Sequence, residues 1–109
     1  MTASRLEKIE AMLVDEPDDV FLRYSRAMEL DKAGEHERSL AGLRELCEGT
    51  APYVPAFFMS GQQLTRLDRV EEARSVLRAG IESARSQNDS HAAAEMSEFL
   101  ASLGDLGPG

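Results

Sequence analysis

The sequence predicts an all-α fold of about six helices joined as helix-turn-helix pairs. Three observations carry that expectation: an internal repeat, apolar residues at helical spacing, and start and stop residues at the ends of each apolar stripe. Displacing the chain by about 34 residues brings Val20 onto Val54, Leu30 onto Leu64 and Leu43 onto Leu77. The same displacement matches Glu37 with Glu71, Arg44 with Arg78 and Glu48 with Glu82. Sizes agree between those identities, with Tyr24 on Phe58, Ala27 on Gly61, Ser39 on Ala73 and Cys47 on Ile81.

The elements follow in order. Residues 4–15 form an N-terminal helix, opened by Ser4 and Glu7 in capping-box spacing, where each side chain satisfies an orphan amide. Leu6, Ile9, Met12 and Leu13 lie on its apolar stripe, and the repeat shift sets Leu6 before Leu40 and Ile9 before Leu43. This helix therefore corresponds to the second half of a worn-down repeat. Repeat one, residues 20–53, is preceded by Pro17, Asp18 and Asp19, which supply a break, an N-cap and negative charge at the helix start. Its first helix carries Phe21, Tyr24, Ala27, Met28 and Leu30, and Gly34 stops it in the left-handed conformation. Its second helix carries Leu40, Leu43, Leu46 and Cys47, and ends by Gly49, before Pro52.

Repeat two, residues 54–87, restates the plan. Phe57, Phe58, Gly61, Leu64 and Leu67 lead to a turn at Asp68 and Arg69, followed by Val70, Ala73, Val76, Leu77 and Ile81. Residues 88–103 form a capping helix, with Asn88, Asp89 or Ser90 at its start and Ala93, Met96, Phe99, Leu100 and Leu103 on its apolar side. Such a helix covers the last repeat, which would otherwise expose its apolar face. Residues 104–109 read as a flexible tail. The 109 residues are of a size for a single domain.

Composition narrows the function. A net charge of −8 opposes nucleic-acid binding, which needs clustered Lys and Arg against phosphate. No apolar run approaches the roughly 18–20 residues of a membrane span. The opening residues turn amphipathic at once, with no apolar signal core, so the expected location is cytoplasmic. Cys47, the only cysteine, excludes an internal disulfide and a cysteine-rich zinc site.

Catalytic chemistry has no constellation to stand on. His36 and His91 lie far apart, and neither has a second histidine at a helical step, so no metal site is expected. Cys47 aligns with Ile81 on an apolar face and reads as a buried, inert thiol. There is no G-x-S-x-G, phosphate-binding loop or dinucleotide fingerprint. No catalytic residue, no cofactor and no enzymatic activity are expected. Arg66, Arg69, Arg74, Arg78 and Arg85 are balanced by Glu71, Glu72 and Glu82 at helical steps, which reads as a solvated face. Met12, Met28, Met59 and Met96 fall on or near apolar stripes and read as core filler ahead of a promiscuous binding surface.

On these residues the chain resembles the tetratricopeptide repeat family over roughly residues 4–103. The family's small residue of the first helix corresponds to Ala27 and Gly61, and the small residue opening the second to Ser39 and Ala73. Leu43 and Leu77 match its bulky position, and the run from Leu67 to Ala73 is typical of its helix turn. There are departures: the family's large apolar residue early in the first helix is Arg23 in repeat one and Phe57 in repeat two. Its next apolar position holds Arg26 and Ser60, and its inter-repeat proline is shifted by one at Pro52 and absent around Arg85.

The resemblance implies a short right-handed α-solenoid of antiparallel helix pairs, a non-catalytic module whose first helices line a concave groove. The groove positions would be Phe21, Tyr24, Met28, Asp31 and Lys32, then Phe58, Gln62, Thr65 and Arg66, with Pro55 at the rim. Tyr24, Met28, Asp31, Phe58, Gln62 and Arg66 form the candidate binding set. Phe21 reads as core, while Tyr24 and Phe58 suit either groove or core. The positions where some members grip a terminal carboxylate hold Tyr24, Met28 and Met59 here, so recognition of chaperone tails is not implied. The expected partner is a protein or peptide, presenting an apolar or amphipathic segment with an acidic end for Arg66. The alternative is a structural subunit that self-associates or sits inside a larger complex, since Arg23 and Arg26 leave room for it. A monomer or weak homo-oligomer is expected.

Overall fold

Six helices follow one another in residues 4–105, the part of the chain described by the computed structural model. They are α1 (Arg5–Asp15), α2 (Val20–Lys32), α3 (His36–Leu46), α4 (Val54–Arg66), α5 (Val70–Ser86) and α6 (Ser90–Ser102). A 3-10 turn, Leu103–Asp105, follows α6, so helical backbone continues past residue 104, where the sequence predicts the tail to begin. Residues 106–109 of that tail lie outside the described residues. No strand occurs among the described residues, in agreement with the all-α expectation.

The helix starts are where local chemistry puts them. Ser4 Oγ accepts from the Glu7 amide at 3.1 Å, and Asp19 Oδ1 accepts from the Leu22 amide at 2.9 Å. Asp89, one of three candidate caps, accepts from the Ala92 amide at 3.1 Å. Each bond satisfies an amide that has no partner inside its own helix.

Three helix ends share one turn. Gly34 after α2 has φ +84°, and Asp68 after α4 and Asn88 after α5 both have φ +61°. In each case the next amide reaches back to an orphan carbonyl: Glu35 to Leu30 (2.9 Å), Arg69 to Leu64 (2.8 Å) and Asp89 to Ala84 (2.8 Å). This is the Schellman arrangement, which reverses the chain sharply into the next helix. Glycine adopts the left-handed conformation without strain, whereas Asp68 and Asn88 adopt it at a modest cost.

The helices group into two compact units, one ending at Leu46 and one beginning at Cys47. In the first, α2 packs against both α1 and α3 around Ile9, Leu13, Ala27, Leu30, Leu43 and Leu46. Ser39 is buried under the α2–α3 turn, where its hydroxyl donates to the Ala27 carbonyl at 2.6 Å. In the second unit α5 packs against α4 and α6 around Phe57, Leu64, Leu77, Ile81, Met96 and Leu103. Glycines set the spacing there. A Cβ on Gly61 would lie 2.7 Å from Leu77 Cγ, and one on Gly80 would lie 2.5 Å from Phe57 Cβ and 2.7 Å from Met96 Sδ.

Two expectations about burial are corrected. Met12 falls on the apolar stripe of α1 by periodicity, yet that helix buries only Ile9 and Leu13. The two centre the buried side, and Met12 lies about 60–100° around the helix from them. Arg74, assigned to a solvated face, is buried. Its Nη2 donates to the Leu103 carbonyl at 2.6 Å, and its Nη1 pairs with Glu71. The orphan carbonyl at the end of α6 draws the guanidinium inward, because a buried acceptor needs a donor.

Candidate protein-binding faces

The first helix of each repeat gathers half of the candidate residues. On α2, Tyr24, Met28 and Asp31 are spaced by four and three residues, so they share one side of the helix. Tyr24 and Met28 are half-buried. Asp31 lies at the end of that side, with His36 Nδ1 2.8 Å from its Oδ1. The imidazole at the start of α3 thereby meets this carboxylate across the turn.

Phe21 belongs to the same side, three residues before Tyr24, and here the expectation of core is overturned. Phe21 is 69% exposed. Phe21 lies about 120° around the helix from Ala27 and in the opening turn. It projects away from the buried side that Ala27 and Leu30 define. The aromatic face of α2 is therefore open at its N-terminal end. Toward α3, Arg23 pairs with Glu45 at 3.2 Å, so a charge that stands where repeat two has Phe57 is satisfied within the unit.

On α4, Phe58, Gln62 and Arg66 are spaced by four residues each and also share a side. Phe58 is half-buried, because Phe99 of α6 meets it edge-to-face with ring centroids 5.6 Å apart and planes at 61°. The flanking helix thus covers part of that ring. Gln62 is half-buried and Arg66 exposed, while the neighbouring Gln63 is buried. Thr65 donates to the Gly61 carbonyl at 2.8 Å, tying its hydroxyl to its own helix. Sequence reasoning set Phe99 on a covering stripe and missed its place beside Phe58; nothing local marks that pairing.

The groups weighed for chemistry are dispersed. His91 is exposed and pairs with Glu95 one turn on, at 3.2 Å. Among the described residues no three His, Cys, Asp or Glu side chains are grouped to hold a metal ion. Burial, with the Glu48 charge second, pushes the Cys47 thiol up to about 12, so it stays protonated at neutral pH and is a poor nucleophile. No helix among the described residues is long and apolar enough to cross a membrane.

The decisive comparison is with a solution NMR structure of a tetratricopeptide repeat domain protein from Salinibacter ruber. It is 31% identical, with a TM-score of 0.78, and the match covers 85% of this chain and 94% of that one. This chain belongs to the tetratricopeptide repeat family. No family model and no curated protein sequence matches it. The tetratricopeptide assignment accounts for the small residues at Ala27, Gly61, Ser39 and Ala73, all buried where helices of a repeat approach. The tetratricopeptide fold is that of a protein-interaction module and is not a catalytic one.

Proposed function

We propose that this chain is a non-catalytic module that receives a peptide or amphipathic helix on the first-helix faces of its tetratricopeptide repeats. Tyr24, Met28 and Asp31, with Phe21 added, are the contact residues proposed for the α2 face, and Phe58, Gln62 and Arg66 those for the α4 face, each taken within its own unit. The exposed Phe21 ring, in line with Tyr24 and Met28, is the observation that carries the reading. An aromatic left in water at the end of a half-buried apolar strip is the kind of anchor that dominates interface energies.

Peptides selected from a displayed random library on the full chain test this. Binding is expected to weaken roughly tenfold or more in Phe21→Ala/Tyr24→Ala. Helical circular dichroism is expected to be retained. Equal binding by the double variant, or a library that yields no binder, would contradict the proposal. The second reading, a self-associating structural subunit, would bury the exposed Val14 and Phe21 but set the acidic residues beside them against their own copies. Sedimentation at rising concentration separates the two, since a constant monomer excludes self-association.

A further inference from the structure

Every large apolar side chain that is markedly exposed among the described residues falls between positions 12 and 21: Met12 49%, Val14 79%, Val20 39% and Phe21 69%. Met12 and Val14 stand in the last turn of α1, Val20 and Phe21 in the first turn of α2. The connection, residues 16–19, holds both pairs at one end of the α1–α2 hairpin. Exposed apolar residues concentrated in this way mark an interaction site more often than scattered ones do.

The same end carries one sign of charge. From Ile9 to Leu22 the sequence has Glu10, Asp15, Glu16, Asp18 and Asp19 and neither Lys nor Arg. Asp19 is engaged as the α2 cap, and negative charge there suits the helix start. Asp15 and Glu16 do the opposite. They sit at the carbonyl end of α1, where the macrodipole is already negative, and the last turn of α1 has no basic residue. The flanking arginines reach other acids: Arg5 lies 3.5 Å from Glu29, and Arg23 lies 3.2 Å from Glu45. This end of the unit is thus apolar, anionic and without a basic residue of its own stretch.

We propose that the α1–α2 end of the first unit binds a cationic amphipathic segment of a protein partner. Val14 and Phe21 take its apolar residues, and Asp15, Glu16 and Asp18 take its lysines or arginines. The inference rests on the reading of the chain as a protein-binding module and specifies the partner's chemistry. A second copy of this chain fits poorly, because a two-fold contact sets the acidic stretch against itself. Phosphate surfaces, whether nucleic acid or anionic lipid, are repelled by the same charges.

The test uses the full chain and two labelled amphipathic peptides about four turns long, one built from Leu and Lys and the other from Leu and Glu. Fluorescence anisotropy reads their binding to wild type, to Asp15→Asn/Glu16→Gln/Asp18→Asn and to Val14→Ser/Phe21→Ser. These positions are exposed and spare the Asp19 cap, and circular dichroism verifies that each variant stays helical. The lysine peptide is expected to bind, the glutamate peptide not to, and both variants to weaken binding roughly tenfold or more. Added salt should weaken wild-type binding and scarcely affect the neutralised variant. The proposal is overturned if the lysine peptide does not bind, if either variant binds it unchanged, or if wild type forms a dimer that Val14→Ser/Phe21→Ser abolishes. In any of these cases library-selected peptides that depend on Tyr24 would leave the broader reading standing; their absence would remove both.

Discussion

At matching places in their repeats, Arg23 is half-buried beside Glu45, whereas Phe57 is buried against Gly80. The difference extends along both first helices. From α4, Val54, Ala56, Phe57, Ser60, Gly61, Gln63 and Leu64 are buried; from α2, only Ala27 and Leu30. Their partners differ likewise, α5 burying Ala73, Arg74, Leu77, Gly80, Ile81 and Ala84 against Ser39, Leu43 and Leu46 from α3. Fully burying one large apolar side chain stabilises by about 1.5–3 kcal/mol, so the second unit draws more on packing than the first. The repeat period preserves the turn and the close helix approach. It leaves the outward sides free to diverge, and repeat one has kept its aromatic side open.

The largest effect is expected from overfilling the dense unit. Gly80→Leu forces atoms into Phe57 and Met96, and should cost about 3 kcal/mol or more, read from urea unfolding. Gly42 in the first unit is the control, because a Cβ there meets only the Ala27 Cβ at 4.0 Å. Gly42→Ala should therefore be neutral or stabilise by up to about 1 kcal/mol. A comparable loss at both sites would break the contrast.

A smaller loss is expected from Arg74→Ala, which leaves the buried Leu103 carbonyl without its guanidinium donor. About 2 kcal/mol is expected, with α6 fraying first in amide exchange. Ser39→Ala probes the polar bond that spans the first hairpin and should cost about 1 kcal/mol. A loss as large as that of Arg74→Ala would show that the first unit leans on this bond more than its geometry suggests. Smallest is Asp68→Gly, which relieves a left-handed aspartate and should stabilise by about 0.5–1 kcal/mol, seen as a raised melting temperature. Replacing the left-handed glycine at the equivalent turn, Gly34→Ala, should destabilise by about 1 kcal/mol.

Much of the fold was legible because it is written locally. Ser4, Asp19 and Asp89 cap helices through bonds only three residues long, and Gly34 stops α2 where a left-handed residue is required. The periodicity then fixed which residues share a side, including Tyr24 with Met28 and Phe58 with Gln62. What escaped depends on neighbours remote in sequence. Arg74 is buried by the Leu103 carbonyl, 29 residues away, so its i,i+3 pair with Glu71 gave the wrong impression. Gly80 aligns with Leu46, and nothing short of the packed α4 and α6 reveals why only glycine fits there. Phe21 misled for the opposite reason, since an apolar residue on a helical stripe reads as core until the stripe's covered sector is known. The candidate residues were legible as two helix faces; how open each face is was not.

Amide hydrogen exchange on the full chain, with and without a library-selected peptide, probes the contrast between the repeats and the binding face together. In the free chain, α4 and α5 are expected to exchange more slowly than α2, and the peptide should slow α2 by roughly tenfold or more. If α2 is already as protected as α5, and the peptide leaves it unchanged, then repeat one is neither the looser unit nor the binding one.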